Sequence, residues 1–182
     1  KKGISLSTDS NGKKIFLDPN LGTQIAVAEA CRNISCTGAK PVALTDGLNF
    51  GDPEKEDVQY QLTESIDGLI NASNKFNTPV ISGNASLYNE SSGKSIYPTT
   101  IIGAIGIIDD TDNSADIKFK DEGDLIVVLG HSTGWGKISD LSGSEYLEKI
   151  HGRVQGQPEI DLELEIKIQK LCRLGIKNKI IK

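Results

Sequence analysis

The chain has 182 residues and a formal net charge of −5, a length that suits one large domain or one and a half small ones. The acidic balance argues against nucleic acid as the main partner, because a phosphate backbone calls for clustered Lys and Arg. No apolar run approaches the roughly 20 residues that cross a bilayer. The chain contains no methionine, which is expected of a piece of a longer protein or of a protein in which methionine is unusually scarce.

The first helix is predicted over residues 21–37, where apolar residues recur every three to four positions. A second helix is predicted to begin at residues 52–54, with Asp52 as N-cap and Pro53 at the first helical position. It is predicted to end near Asn77. Its apolar stripe is interpreted as core packing and consists of Val58, Leu62, Ile66, Leu69, Ile70, Ser73 and Phe76.

Two glycine-containing motifs each follow a short apolar run. Residues 45–53 read TDGLNFGDP after the run 42–44, and residues 82–90 read SGNASLYNE after the run 79–81. Each motif is predicted to be a turn that follows a strand. Glycine lets backbone N–H groups approach phosphate, and Asp and Asn oxygens suit Mg²⁺. On composition alone, a pair of ordinary Asx/Gly turns explains the motifs equally well.

The remaining elements are predicted from apolar runs. Residues 101–108 form a continuous apolar run that predicts a strand buried on both faces, and residues 109–116 form a solvated acidic connection. Residues 125–130 predict the start of a new strand. Residues 160–174 predict a helix, although their first half also alternates as a strand does.

The cysteines and histidines suggest no catalytic site of their own. Cys31, Cys36 and Cys172 lack a CxxC spacing, which predicts free, buried thiols in a reducing cytoplasm. Neither His131 nor His151 lies near an obvious Ser or Cys nucleophile, and no G-x-S-x-G elbow is present. The glycines at 134, 136 and 143 match no complete phosphate-loop motif and are interpreted as loop architecture.

The amino-acid sequences of the two motifs, together with IYPT at residues 96–99, closely resemble those of phosphoribosylformylglycinamidine (FGAM) synthase subunit II. The upstream segments LDP at 17–19, AVAEACRNI at 26–34 and GAKP at 38–41 fit the same family. The resemblance implies an α/β (α+β) fold. Residues 1–110 would form an AIR synthase-like N-terminal ATP-binding domain, second copy. Residues 111–182 would form a linker and the truncated start of an AIR synthase-like C-terminal α/β domain.

The resemblance also implies a reaction. FGAM synthase is a ligase of purine biosynthesis that uses ATP and Mg²⁺ to phosphorylate the amide oxygen of formylglycinamide ribonucleotide, after which ammonia displaces phosphate. The implied partners are a glutamine amidotransferase subunit, a small accessory subunit and the rest of the parent chain, with no nucleic acid and no membrane. The family's catalytic histidine and acidic Mg²⁺ ligands belong to the first half of the subunit, so this chain carries no catalytic residue and is expected to be inactive alone.

Four site residues follow from the resemblance, position by position. Asp46 and Gly83 correspond to nucleotide-binding positions, Asn84 to a Mg²⁺ ligand through its amide oxygen, and Ser86 to a substrate contact. Asn49 and Asn89 are interpreted as turn formers. The chain departs from the family at Glu56, where proline is common, and at Ala85, where valine is common. Neither departure casts doubt on the ligands.

Two other functions remain open. The chain can be a non-catalytic half that holds a structural nucleotide, because duplicated enzymes can keep one site for chemistry and the other for structure. It can also belong to another member of the superfamily, such as aminoimidazole ribonucleotide synthase, thiamine-monophosphate kinase or selenophosphate synthetase. Members of those groups are not expected to carry both motifs.

Overall fold

A computed structural model describes residues 1–130 and 138–182 of the chain. His131 and the glycines at 134 and 136 lie outside the described residues. In chain order the longer elements are β1 (Gly3–Asp9), α1 (Gly12–Leu17), α2 (Pro19–Cys36), β2 (Lys40–Asn49), α3 (Glu56–Phe76), β3 (Val80–Ser86), β4 (Glu90–Ser91), β5 (Lys94–Ser95), β6 (Thr99–Ile108), α4 (Glu145–His151) and α5 (Leu162–Lys177). Short 3-10 turns lie at Thr111–Asn113 and Ile138–Leu141.

The main sheet has four strands in the order β1-β6-β2-β3. Strand β6 pairs antiparallel with both β1 and β2, whereas β2 pairs parallel with β3. The parallel pair is joined by α3, the crossover helix that such a connection requires. Because β3 is an edge strand, alternate backbone groups on its outer side have no strand partner within the described part of the sheet.

Helix α2 packs on one face of this sheet and α3 packs against α2, so the core lies between these helices and the strands. The core consists of small and branched apolar residues: Ala26, Val27, Ala28, Ala30, Cys31, Ile34, Ala39, Leu44, Leu69, Ala72, Ile102, Ala104 and Leu162. Leu162 belongs to α5, so the helix of the 111–182 segment packs on the same core. The fold class expected from the sequence, a mixed α/β architecture, is confirmed.

The helix predictions are confirmed in outline and wrong at one boundary. Helix α2 spans the predicted segment, and α3 ends at Phe76, with Asn77 as a C-cap in the left-handed conformation. Helix α3 begins at Glu56 with Lys55 as N-cap, not at residues 52–54. The reason is local: the Asp52 carboxylate accepts a hydrogen bond from the Glu54 N–H at 2.9 Å, which forms an Asx turn instead of a helix cap.

The apolar stripe of α3 is narrower than predicted. Val58 and Leu69 are buried as expected, whereas Ile66 and Ile70 are 37% and 52% exposed. Strand β6 covers the predicted segment, but it is not buried on both faces. Its burial alternates, with Ile102 fully buried and Ile101 43% exposed, because in the described residues the helices cover only one face of the sheet.

The predicted strand at 125–130 is wrong. The segment has no regular secondary structure, and Leu125 and Ile126 are 90% and 77% exposed. A strand needs a neighbour for its N–H and C=O groups, and no described strand pairs with this segment.

The predicted helix at 160–174 is confirmed as α5. It begins at Leu162, and the side chain of the N-cap residue Asp161 accepts a hydrogen bond from the Leu164 N–H at 3.0 Å. This cap satisfies one of the N–H groups that the first turn leaves without a partner. It therefore favours a helix over a strand, although the first half of the segment alternates as a strand does.

Candidate functional site

The two glycine-containing motifs lie side by side in the sheet. They were predicted as turns, and this is wrong for their first halves: residues 45–49 belong to β2 and residues 82–86 belong to β3. The parallel ladder pairs Asp46 with Gly83 and Gly47 with Asn84. Glycine and Asx residues are held in extended conformation here because β2 has a hydrogen-bonded strand on each side.

The Asp46 carboxylate lies directly over Gly83. A Cβ atom at Gly83 would be 2.3 Å from Asp46 Oδ1 and 2.7 Å from Cγ, so the space that any other side chain needs is already occupied. Burial raises the pKa of the Asp46 carboxyl above its usual value. The glycine therefore has a specific structural role, which is to let a partly buried carboxylate rest on the β3 backbone.

The four candidate residues divide between the two faces of the sheet. Asp46 pairs with Ile102, which belongs to the buried core, so Asp46 and Gly83 lie on the side that the helices cover. Successive residues of a strand point to opposite faces, so Asn84 and Ser86 share the other, open face. The structure places Asp46 next to Gly83 on the covered face, and Asn84 and Ser86 on the open face. The two pairs are therefore on opposite faces of the sheet.

A shallow cavity lies on the open face, on the same side as Asn84. Its volume is about 350 Å³, and its lining includes Thr45, Ser82 and Gly103. The Ser82 hydroxyl donates to Thr45 Oγ1 at 2.8 Å, which fixes the two strands beside the cavity. Asn84 follows Ser82 by two residues on the same face and lies outside the cavity lining.

Two asparagines organise the backbone around the site. The Asn89 amide donates to Phe50 O at 3.0 Å and to Ser86 O at 2.8 Å, so it joins the segments that follow β2 and β3. The Asn49 amide donates to Gly47 O at 3.1 Å. Both amides are engaged by nearby backbone. Asn89 lies in the turn after β3, whereas Asn49 is the last residue of β2, so its interpretation as a turn former is wrong. The Ser86 hydroxyl accepts from Asn89 Nδ2 at 3.1 Å and donates to Asn89 Oδ1 at 3.3 Å.

A complete metal site is not formed by this chain in residues 1–130 and 138–182. Within those ranges no group of three or more His, Cys, Asp or Glu side chains could hold a metal ion. Asn84 is exposed and can offer one amide oxygen. Mg²⁺ usually keeps several waters and takes its other ligands from phosphate oxygens and one or two carboxylates. A Mg²⁺ ion bound beside Asn84 would therefore take its other ligands from water, phosphate or groups outside the described residues.

One acidic residue near the site was missed by the sequence analysis. Asp9 ends β1 and pairs with Ile102, as Asp46 does from the opposite side, so the two aspartates flank Ile102 in one row across the sheet. Burial raises the pKa of Asp9 to about 6, and the negative charge of Glu29 adds to the shift. The row depends on strand register, which no local pattern in the sequence reveals.

The described histidine has no part in this site. His151 ends α4 and makes an edge contact with Tyr146, with ring centroids 5.3 Å apart. Gly143 has a positive φ of 62° and lies in the loop before α4, as the interpretation of loop architecture expected. No helix among the described residues is both long and apolar enough to cross a membrane.

Comparison with known proteins identifies the family. The profile of "AIR synthase related protein, N-terminal domain" matches residues 1–108. The chain belongs to this family. Phosphoribosylformylglycinamidine synthase subunit PurL of Caldanaerobacter subterraneus is 49% identical over 172 residues, which is 94% of this chain and 23% of that protein. The PurL subunit of Alkaliphilus metalliredigens is 48% identical over 171 residues, 93% of this chain and 22% of that protein.

Solved structures of Thermotoga maritima PurL share the fold. PurL complexed with ATP is 39% identical, with a TM-score of 0.59 over 64% of this chain and 20% of that chain. PurL complexed with FGAR is 26% identical, with a TM-score of 0.68 over 97% of this chain and 24% of that chain. The chain thus spans about a quarter of the length of the relatives that it matches.

Proposed function

We propose that this chain is part of an FGAM synthase, the ligase that converts formylglycinamide ribonucleotide, ATP and ammonia to formylglycinamidine ribonucleotide, ADP and phosphate. The observation that carries the proposal is the identity of 49% to a PurL subunit over 94% of the chain. The T. maritima PurL structures with ATP and with FGAR support the two substrates. In this reaction the amide oxygen attacks the γ-phosphoryl group and ADP leaves. Ammonia then adds to the amide carbon and phosphate leaves.

Within this function, Asp46 and Gly83 would contact the nucleotide. A carboxylate repels phosphate, so Asp46 is suited to accept hydrogen bonds from hydroxyl or amino groups of the nucleoside. Gly83 has no side chain, so a ligand can approach its backbone closely. Because β3 is an edge strand, a nucleotide lying across its free edge could contact Gly83 and also reach the face that carries Asn84.

On the open face, Asn84 would give one oxygen to Mg²⁺ and Ser86 would contact the substrate. The metal would neutralise phosphate charge during transfer, and the chain's own residues would act by positioning. The cavity of about 350 Å³ beside Ser82, on the same face as Asn84, supports a ligand on this side of the sheet. The role of this chain would therefore be binding and orientation, and the acid–base chemistry would come from the rest of the protein.

The domain assignment follows from the same proposal. Residues 1–110 would be the second N-terminal-type, ATP-binding domain, and residues 111–182 the linker and start of the C-terminal-type domain. The family match over residues 1–108 supports the first boundary. A glutamine amidotransferase subunit and a small accessory subunit would supply ammonia, which the T. maritima PurLQS structure supports. The protein would act in the cytoplasm, where its three free thiols are expected to persist.

A structural nucleotide site is the second candidate. It is favoured by the lack, within the described ranges, of a histidine or an acidic cluster beside Asp46 and Asn84. The test is isotope trapping in the complete protein. If the site holds substrate ATP, radiolabelled ATP bound at wild-type affinity is converted to ADP on addition of formylglycinamide ribonucleotide and ammonia, and Asp46→Ala abolishes the conversion. A nucleotide that stays bound and unconverted through many turnovers would identify a structural site instead.

A further inference from the structure

Polar contacts hold helix α5 against the C-terminal end of helix α2. The Arg32 guanidinium donates to both carboxylate oxygens of Glu165, at 2.9 and 3.2 Å. Arg173 Nη1 donates to Ser35 Oγ at 2.6 Å, and Ser35 Oγ donates to Gln169 Oε1 at 3.3 Å. These contacts tie the last turn of α2 to the middle of α5, so the side chains next to Ser35 and Arg173 have little freedom to separate.

Two cysteines occupy these adjacent positions. Cys36 follows Ser35 and Cys172 precedes Arg173, and their thiols face each other closely enough to share a hydrogen bond. Both are free thiols, but the prediction that they are buried is wrong: Cys36 is exposed at the end of α2, and Cys172 is partly buried. Two thiols that share a hydrogen bond between docked helices lie within side-chain reach of a disulfide, whose S–S bond is about 2.05 Å long.

The surroundings make Cys36 the more reactive thiol. The hydrogen bond from Cys172, with a smaller effect from the nearby charge of Arg32, lowers the pKa of Cys36 to about 6. Three effects oppose this: Cys36 is partly desolvated, it lies at the negative end of α2, and Glu165 neutralises part of the Arg32 charge. The contact with Cys172 is therefore the main source of thiolate character. The pKa of Cys172 is raised in turn, which suits a second thiol that reacts after the first.

Cys31 provides the internal contrast. It is fully buried in the core, and burial raises its pKa to about 12, so it has neither access to oxidant nor thiolate character. The three cysteines of the chain thus differ sharply in reactivity. Only Cys36 combines exposure with a lowered pKa, and only Cys172 is placed to react with it.

We propose that Cys36 and Cys172 form a reversible, peroxide-responsive disulfide that fastens α5 to α2. The Cys36 thiolate attacks a peroxide oxygen, the O–O bond breaks, and hydroxide leaves and takes up a proton to become water. The sulfur of Cys172 then attacks the Cys36 sulfenic acid, the S–S bond forms, and the S–O bond breaks. The released hydroxide takes the Cys172 proton. The two thiols lose two electrons in total, and hydrogen peroxide is reduced to two waters.

The test is a peptide map of the purified full chain after hydrogen peroxide treatment and alkylation of the remaining thiols. Trypsin places the three cysteines in different peptides, because cleavage sites follow Lys14, Arg32, Lys55, Lys170 and Arg173. The expected product is peptide 33–55 linked to peptide 171–173 in monomeric protein, with Cys31 alkylated. Dithiothreitol reverses the link. The oxidised chain gains about 5–10 °C in Tm, because the link joins two segments distant in sequence.

Three variants separate this proposal from non-specific oxidation. Cys36→Ser and Cys172→Ser each abolish the link and the rise in Tm, whereas the matched control Cys31→Ala keeps both. Cys172→Ser accumulates a sulfenic acid at Cys36 that a dimedone probe captures. The proposal is overturned if Cys36 is oxidised to sulfinic acid while Cys172 stays free in the wild-type chain. Links between two molecules, or a link without any rise in Tm, overturn it equally.

Discussion

Replacing Gly83 with alanine tests the Asp46–Gly83 pair directly. The added methyl group would lie 2.3 Å from Asp46 Oδ1, so the carboxylate must move aside by about 1 Å or rotate to another conformer, at a cost of about 0.5–1.5 kcal/mol. Alanine also loses less backbone entropy than glycine on folding, which returns about 0.5–1 kcal/mol. We therefore expect the free energy of unfolding to change by less than about 1 kcal/mol.

Binding of Mg·ATP is expected to weaken much more than folding. A displaced carboxylate loses a charge-assisted hydrogen bond to the nucleotide of about 1.5–3 kcal/mol, which raises Kd by roughly 10- to 150-fold. Isothermal titration calorimetry of the complete protein measures this change. Gly47→Ala is the matched control, because its new methyl group meets its nearest neighbours at an ordinary 3.6 and 3.8 Å.

A double mutant makes the test stricter. If Gly83 acts by letting Asp46 keep its position, then Gly83→Ala adds no further loss of binding in an Asp46→Ala background. Additive losses would show that the two residues contact the nucleotide independently. Unchanged binding in the Gly83→Ala single mutant would refute the role of the pair, and a cooperative loss of folding would show that the pair is structural.

Three further predictions concern single residues and the chain itself. Asp9→Asn should stabilise the protein by about 1 kcal/mol at pH 7.5, because the raised pKa of Asp9 makes its charged form unfavourable above pH 6. That gain should vanish near pH 4 in urea titrations, where the carboxyl is protonated. Asn84→Ala should slow Mg·ATP-dependent turnover at least tenfold and raise the Mg²⁺ requirement, with Tm nearly unchanged because Asn84 is exposed. The 182-residue chain alone should form no FGAM product in an ammonia- and ATP-dependent assay.

The parts of the structure that could be predicted from the sequence are those set by local periodicity. Helices α2 and α5 follow from apolar spacing, and the end of α3 follows from Asn77, which adopts the left-handed conformation. The motifs that contain Asp46 and Asn84 were recognised from their amino-acid sequences. The structure places these motifs in neighbouring strands of the sheet.

The remaining features depend on contacts between distant residues. Residues 45–49 continue β2 because β6 and β3 supply partners on both sides, which a local turn signal cannot reveal. The division of Asp46 and Asn84 between two faces follows from strand pleat and register. The apolar run at 125–130 shows the converse, since strand propensity without a neighbouring strand produced no strand.

The central claim is that this chain belongs to an ATP-dependent FGAM synthase, and the most direct test is the reaction stoichiometry of the complete protein. The protein is supplied with formylglycinamide ribonucleotide, ATP, Mg²⁺ and an ammonium salt, and the products are quantified by chromatography. We expect one ADP and one phosphate for each formylglycinamidine ribonucleotide, and loss of all three products in Asp46→Ala. ATP hydrolysis without the amidine product, or transfer of phosphate to a stable phosphorylated compound, would contradict the account.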